Sequence, residues 1–153
     1  MLQLDFAFSE EWNRSVNPLE LPSLGEIDLR YGVAMGSLIL IVDGVDLSAN
    51  WGWIPMLDLA LALDDIRKQL LANSSAEAVF EFTESDAAIM FQRTGSDVRI
   101  ATSYSRCSVA VRLSDFCYAV GVFSDRVFRE SVKQFPTLEA NAAFRFLRSQ
   151  TAV

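Results

Sequence analysis

The chain has 153 residues, about half of them hydrophobic, and its 13 basic and 20 acidic side chains give a net charge of −7. This size and composition indicate one globular domain that folds without disulfides or metals, and the acidic balance argues against nucleic-acid binding. Histidine is absent, which excludes serine–histidine and cysteine–histidine nucleophilic pairs, histidine general bases and most familiar catalytic zinc sites.

Residues 1–50 predict N-terminal strands around an acidic connector. Leu2, Leu4, Phe6 and Phe8 alternate with less apolar residues, which is typical of a half-buried strand. Residues 9–26 contain two prolines, a glycine and several acids, and are expected to form the connector. Further strands are expected at Ile27–Tyr31, at Ala34–Val42 and, after an Asp43-Gly44 turn, at Val45–Leu47.

The sequence pattern predicts a central helix over residues 53–73. Apolar residues recur every three or four positions, with Pro55 in the first turn. Asp64 can pair with Lys68 four positions later. Asp58 and Asp65 lie seven positions apart and therefore share a face, which we expect to meet solvent or a partner. The expected core stripe consists of Met56, Leu59, Leu63, Ile66 and Leu70.

The sequence pattern predicts an antiparallel meander over residues 77–113 and two C-terminal helices over residues 114–150. Ser114 is the expected cap of the first helix, which ends before Pro136, and Thr137 is the expected start of the second. The exposed face of the meander is expected to carry Glu81, Gln92, Arg99 and Arg112. The order of elements favours an α+β fold: a mainly antiparallel sheet of six to seven strands, with the central helix and both C-terminal helices packed on one face.

No motif in the chain predicts catalysis, a cofactor or a metal. Phosphate-binding glycine loops are missing, and the carboxylates of Asp43, Asp46 and Asp58 lack the spacing of a calcium loop. Ser103 and Ser105 have no histidine to activate them. Cys107 and Cys117 lie in apolar runs, so both are expected to be buried free thiols. We therefore expect a protein that is not an enzyme.

The negative charge is confined to the first half of the chain. Residues 1–76 hold 11 acidic and 4 basic side chains, whereas residues 77–153 hold nine of each. Two interpretations are open: an uneven distribution of solubility charge, or an acidic face for a basic partner. All three tryptophans lie in this acidic half, Trp12 directly after Glu10 and Glu11.

Residues 42–55 gather two tryptophans and two acids between a buried strand and the central helix. The indoles either hold this corner together as part of the core or form a binding hot spot, a role in which tryptophan is enriched. The residues expected to contact a partner are Glu10, Glu11, Trp12, Asp43, Asp46, Trp51, Trp53, Asp58 and Asp65.

The pattern D-G-x-D-x-S-x-x-W-G-W-x-P-x-L-D at residues 43–58, leading into a helix, resembles bacterial polymorphic-toxin immunity proteins and related small acidic domains. The resemblance covers residues 34–112. It implies a cytoplasmic inhibitor that binds a cognate toxin domain, often a basic nuclease, and covers its active site with acidic side chains. It carries over no catalytic residue.

Two other functions remain open. A small molecule or a cation would bind between helix and sheet near Trp51 and Trp53, or the last helix, with Phe144 and Phe146, would pair two copies in a homodimer. The N-terminus has no basic region typical of a secretion signal, and no apolar run is long enough to span a bilayer. We therefore expect a cytoplasmic protein that does not enter a membrane.

Overall fold

The computed structural model describes residues 1–151 and has an α+β fold with two antiparallel sheets of four strands each. The expected α+β class is correct, but the single sheet of six to seven strands is wrong. The first sheet contains β1 (Leu2–Phe8), β2 (Met35–Val42), β3 (Val45–Asp46) and β4 (Ala49–Pro55), and the second contains β5 (Glu77–Glu81), β6 (Ala88–Thr94), β7 (Asp97–Thr102) and β8 (Ser108–Arg112). The α-helices are α1 (Glu10–Asn13), α2 (Glu26–Gly32), α3 (Met56–Ala72), α4 (Leu113–Gln134) and α5 (Ala142–Thr151).

Strand β2 is the centre of the first sheet. It pairs with β1 along one edge, and with β3 and β4 along the other. The predicted Asp43-Gly44 turn joins β2 to β3, and both residues have positive φ (48° and 82°), as the type I′ hairpin turn requires. At Gly36 the backbone of β1 comes so close that a Cβ atom would overlap the Ala7 carbonyl oxygen, so only glycine fits.

The second sheet is the predicted meander. Strands β5 to β8 pair in chain order, each antiparallel to the next. Phe80, Phe91 and Ile100 point inward and are buried. The four residues predicted for the exposed face are indeed exposed.

Helices α3 and α4 pack against each other and bridge the two sheets. Helix α3 contacts β2, β4 and β5, and α4 contacts β1, β7 and β8. All five residues of the predicted α3 stripe are buried. The helices therefore share one core with both sheets and do not lie on one face of a single sheet. No helix within residues 1–151 has the length and apolarity needed to cross a membrane.

Two predicted elements in the first half are wrong. Residues Ile27–Tyr31 belong to helix α2: their alternating apolar pattern is misleading because only Leu29 is buried, while Ile27 and Tyr31 are exposed. The central helix begins at Met56 and not at residue 53, because Ala49–Pro55 form strand β4, which pairs with β2 through Ala49 on one side of an irregularity and Ile54 and Pro55 on the other.

The C-terminal helices also begin at other residues than predicted. Helix α4 starts at Leu113, so Ser114 lies inside its first turn, although the helix does end before Pro136. A 3₁₀ turn occupies Pro136–Ala140, and α5 starts only at Ala142. Its cap is Asn141, whose Oδ1 accepts a hydrogen bond from the Phe144 amide at 2.9 Å.

Candidate functional site

Four aromatic side chains form a cluster between the two sheets: Trp51, Trp53, Phe82 and Tyr104. The tryptophans flank Gly52, whose φ of 76° interrupts the extended backbone where the β2–β4 pairing is irregular. Their rings stack, with centroids 5.1 Å apart and planes inclined by 16°. Trp51 also meets the rings of Phe82 and Tyr104 edge-on, at 4.9 and 5.1 Å. Because Phe82 follows β5 and Tyr104 lies between β7 and β8, this aromatic cluster connects the first sheet to the second.

Both tryptophans of the aromatic cluster are half-buried, and both pack against the hydrophobic core. The two interpretations of the pair are therefore compatible: one side of the stacked rings completes the core, and the other remains accessible. Contacts with Phe82 and Tyr104 hold Trp51 in place on its buried side.

Asp46 places a carboxylate next to the aromatic cluster. The Tyr104 hydroxyl donates to the Leu47 carbonyl at 2.8 Å. Burial of the ring, together with the nearby charge of Asp46, raises the pKa of Tyr104 to about 12. Asp46 itself is exposed, and hydrogen bonds from Ser48, one of them from its backbone amide at 2.9 Å, lower the pKa of the Asp46 carboxyl below its ordinary value. Asp46 is therefore ionised at neutral pH.

The predicted residues near the N-terminus lie on helix α1. Glu10 and Glu11 are exposed, and the Trp12 side chain is 49% exposed. The helix is fixed by Asn13, a buried residue whose amide group donates to the Met35 carbonyl at 3.0 Å and accepts from the Met35 amide at 2.9 Å. Sequence reasoning missed Asn13, since nothing local distinguishes it from an ordinary polar residue of a connector.

The acids of α3 divide between core and surface. Asp58 is buried, and its Oδ1 accepts from Nε and Nη2 of Arg30 at 3.1 and 2.7 Å. The prediction that Asp58 faces solvent or a partner is therefore wrong, because it balances an arginine from α2. Asp64 is also buried, and forms the predicted pair with Lys68 at 3.0 Å. Asp65 is exposed, as predicted, and so is Asp43 in the β2–β3 turn.

The two cysteines and the last helix differ from expectation. Cys107 is exposed in the β7–β8 loop, so the expected burial is wrong there, whereas Cys117 is half-buried and burial raises the pKa of its thiol. Both thiols are free. Phe144 is buried against Phe128, with ring centroids 5.5 Å apart, and of the two phenylalanines proposed to pair copies only Phe146 is exposed.

Cavities with volumes of about 590, 340 and 270 Å³ lie elsewhere on the surface. The first lies between β1 and α4, the second between α2, α3 and α5, and the third beside α2. Neither Trp51 nor Trp53 lines any of them. Among residues 1–151, no group of three or more cysteine, aspartate or glutamate side chains is arranged to hold a metal ion.

Comparison with known protein families, characterised proteins and solved structures finds no significant match.

Proposed function

We propose that this chain is a binding protein and not an enzyme, and that it acts as an immunity protein, neutralising a cognate bacterial toxin of basic character. The observation that carries the proposal is the stacked and half-buried Trp51–Trp53 pair, in which Trp51 is held against Tyr104 and Phe82, with the ionised Asp46 nearby.

Such a pair suits a binding hot spot for an energetic reason. Tryptophan offers a large contact area, and a ring already fixed by its neighbours loses little conformational entropy on binding. Truncation of a hot-spot tryptophan costs at least about 2 kcal/mol of binding free energy, or roughly 30-fold in Kd.

The acidic first half of the chain would increase the rate of association with the partner. Asp43, Asp46, Glu10 and Glu11 are all exposed, and residues 1–76 carry the whole net charge. A negative surface of this kind speeds the encounter with a basic protein and weakens with added salt. Association rates for the partner should therefore fall with ionic strength, while dissociation should depend mainly on the tryptophans.

The test is coexpression with the product of the neighbouring gene. We expect the neighbour alone to arrest growth and this chain to restore it through a purifiable complex. Trp53→Ala should weaken the complex about 30-fold and Asp46→Lys should slow association. Phe146→Ala and Glu139→Lys are the matched controls, since they remove an exposed ring and reverse an exposed charge away from the aromatic cluster.

Melting temperatures of the four variants would show that any loss of binding is not a loss of fold. A harmless neighbour that forms no complex would contradict the proposal. If Trp53→Ala binds the partner as tightly as Phe146→Ala does, the aromatic cluster is not part of the interface.

A further inference from the structure

Strand β1 forms an outer edge of the first sheet, and among residues 1–151 its one partner strand is β2. The Asp43 amide donates to the Met1 carbonyl at 3.0 Å, and the Ser9 amide donates to the Met35 carbonyl at 2.9 Å, so the odd-numbered residues of this segment bond to β2. The amides and carbonyls of its even-numbered residues therefore point away from the sheet.

One half of this edge is blocked. The outward amide of Phe6 donates to its neighbour Asp5, at 2.8 Å to Oδ1. Asp5 in turn pairs with Arg126 of α4, whose guanidinium lies 5.3 Å from the centre of the Phe6 ring. A charged pair of this kind is a known protection of sheet edges against further strands. Leu2 and Leu4 precede the block, and their outward amides and carbonyls face a groove.

The groove has a volume of about 590 Å³ and separates residues 1–5 from helix α4. Its helical wall is apolar and exposed: Tyr118 is 76% exposed, and Ala119 and Val122 continue the same wall. Asp115 stands on this wall in the first turn of α4, exposed and in no salt bridge within residues 1–151. A free strand edge and a parallel apolar helix face together fit an extended segment.

We propose that this groove binds an extended segment of a partner protein, added as a strand to β1, with a lysine or arginine against Asp115. Leu2 and Leu4 would form up to about four main-chain hydrogen bonds with it. Alternate side chains of the segment would pack on Tyr118 and Val122, since successive side chains of a strand point to opposite sides. The inference is separate from the proposed toxin neutralisation, because the groove shares no residue with the aromatic cluster.

Charge decides which occupant fits. Of the two acidic side chains that line the groove, Asp5 is already paired with Arg126, whereas Asp115 has no ion-pair partner within residues 1–151 and favours a basic segment. A second copy of this chain would bring another net charge of −7. A basic peptide is therefore favoured over self-association through β1.

The test uses the ¹⁵N-labelled protein and a short synthetic peptide in which valine alternates with lysine and threonine. In the free protein, the Leu4 amide should exchange with solvent much faster than the ladder-bonded Asp5 amide. Saturating peptide should slow exchange at Leu4 by about tenfold or more and leave Asp5 unchanged. The same peptide with glutamate in place of lysine should bind more weakly.

Asp115→Asn should weaken peptide binding by about two- to fivefold, as expected for an exposed ion pair. Asp125→Asn is the control on the same helix: it removes an exposed acid outside the groove, together with that acid's ion pair to Arg129. Melting temperatures of both variants would separate binding from helix stability, because a first-turn acid also stabilises a helix. Unchanged exchange at Leu4 with excess peptide would overturn the proposal. Protection that rises with protein concentration alone would also overturn it, by identifying a second copy as the occupant.

Discussion

Replacement of Tyr104 by phenylalanine tests how the aromatic cluster is held together. The substitution keeps the ring that packs on Trp51 and removes only the hydroxyl that donates to the Leu47 carbonyl at 2.8 Å. Leu47 is buried, so its carbonyl would lose this donor with little access to water. Tyr104→Phe should therefore destabilise the fold, although it deletes a single atom.

The expected loss of stability in Tyr104→Phe follows from the hydrogen bond near neutral pH and from the pKa of Tyr104 at alkaline pH. A lost internal hydrogen bond costs about 1 kcal/mol, and more when it leaves a buried acceptor unpaired, so we expect about 1–2 kcal/mol near pH 7. The pKa of Tyr104 is raised from 10.0 to about 12 in the folded protein. The folded protein therefore favours the neutral form of Tyr104. The contribution of neutral Tyr104 to stability is complete below about pH 10 and is lost as the pH rises towards about 12. A pKa rise of this size corresponds to a loss of at most about 2.7 kcal/mol in the free energy of unfolding at high pH. Because the ring is partly exposed, solvent screening reduces this loss to about half.

Urea unfolding of the wild type and the variant, measured from neutral to alkaline pH, would check both numbers. In thermal unfolding near neutral pH, the melting temperature of Tyr104→Phe should be about 3–6 °C lower than that of the wild type. The stability difference should shrink above about pH 10, since only the wild type can ionise at this position. Tyr118→Phe, at an exposed tyrosine, should change neither quantity. A difference that stays constant across the alkaline range, or no difference at neutral pH, would refute the reasoning.

Three further substitutions test the fold by urea unfolding. Gly36→Ala should cost about 2–3 kcal/mol because its Cβ would overlap the Ala7 carbonyl oxygen. Gly32→Ala should cost nothing, since its Cβ would meet no described atom within 4 Å beyond its chain neighbours and its own helix backbone; equal stability of the two variants would contradict the close approach of β1 and β2. Asn141→Ala should cost about 2–3 kcal/mol, because it removes both the cap of α5 and the hydrogen bonds that the Asn141 side chain donates to the Leu21 and Leu24 carbonyls. Thr102→Val should stabilise the protein by about 1 kcal/mol, since the buried Thr102 hydroxyl has no hydrogen-bond partner among residues 1–151; a loss of stability would contradict this.

The elements that sequence predicted well are those decided by local chemistry. The Asp43-Gly44 turn follows from residues that tolerate positive φ. The buried stripe of α3 and the exposed face of the meander follow from periodicity alone. In each case neighbouring residues carry the whole signal, so a single sequence suffices.

The errors lie where distant residues decide the structure. Ala49–Pro55 is a strand because β2 offers it an edge, with Met35 opposite Pro55, and no local pattern specifies that pairing. Asp58 shares a helix face with Asp65, but Arg30, which is 28 positions earlier, draws Asp58 into a buried ion pair. Spacing within a helix identifies residues on one face and does not reveal which of them an arginine elsewhere will cover.

The candidate site shows the same division. Trp51, Trp53 and Asp46 could be singled out from sequence, because residues 42–55 place two tryptophans close to two acids and tryptophan is enriched in binding hot spots. Their partners could not: Phe82 and Tyr104 come from the second sheet, and only the assembled fold brings them to within about 5 Å of Trp51.

The position of β2 separates the two proposed binding surfaces. Strand β1, with its open edge at Leu2 and Leu4, pairs with one side of β2, and β4, with Trp51 and Trp53, pairs with the other. A ligand in the β1 groove and a protein on the aromatic cluster would therefore lie on opposite sides of β2, one on β1 and the other on β4, without a shared side chain. Sites without shared partners act on binding free energy independently, so occupation of one surface should leave the affinity of the other unchanged unless a single partner covers both.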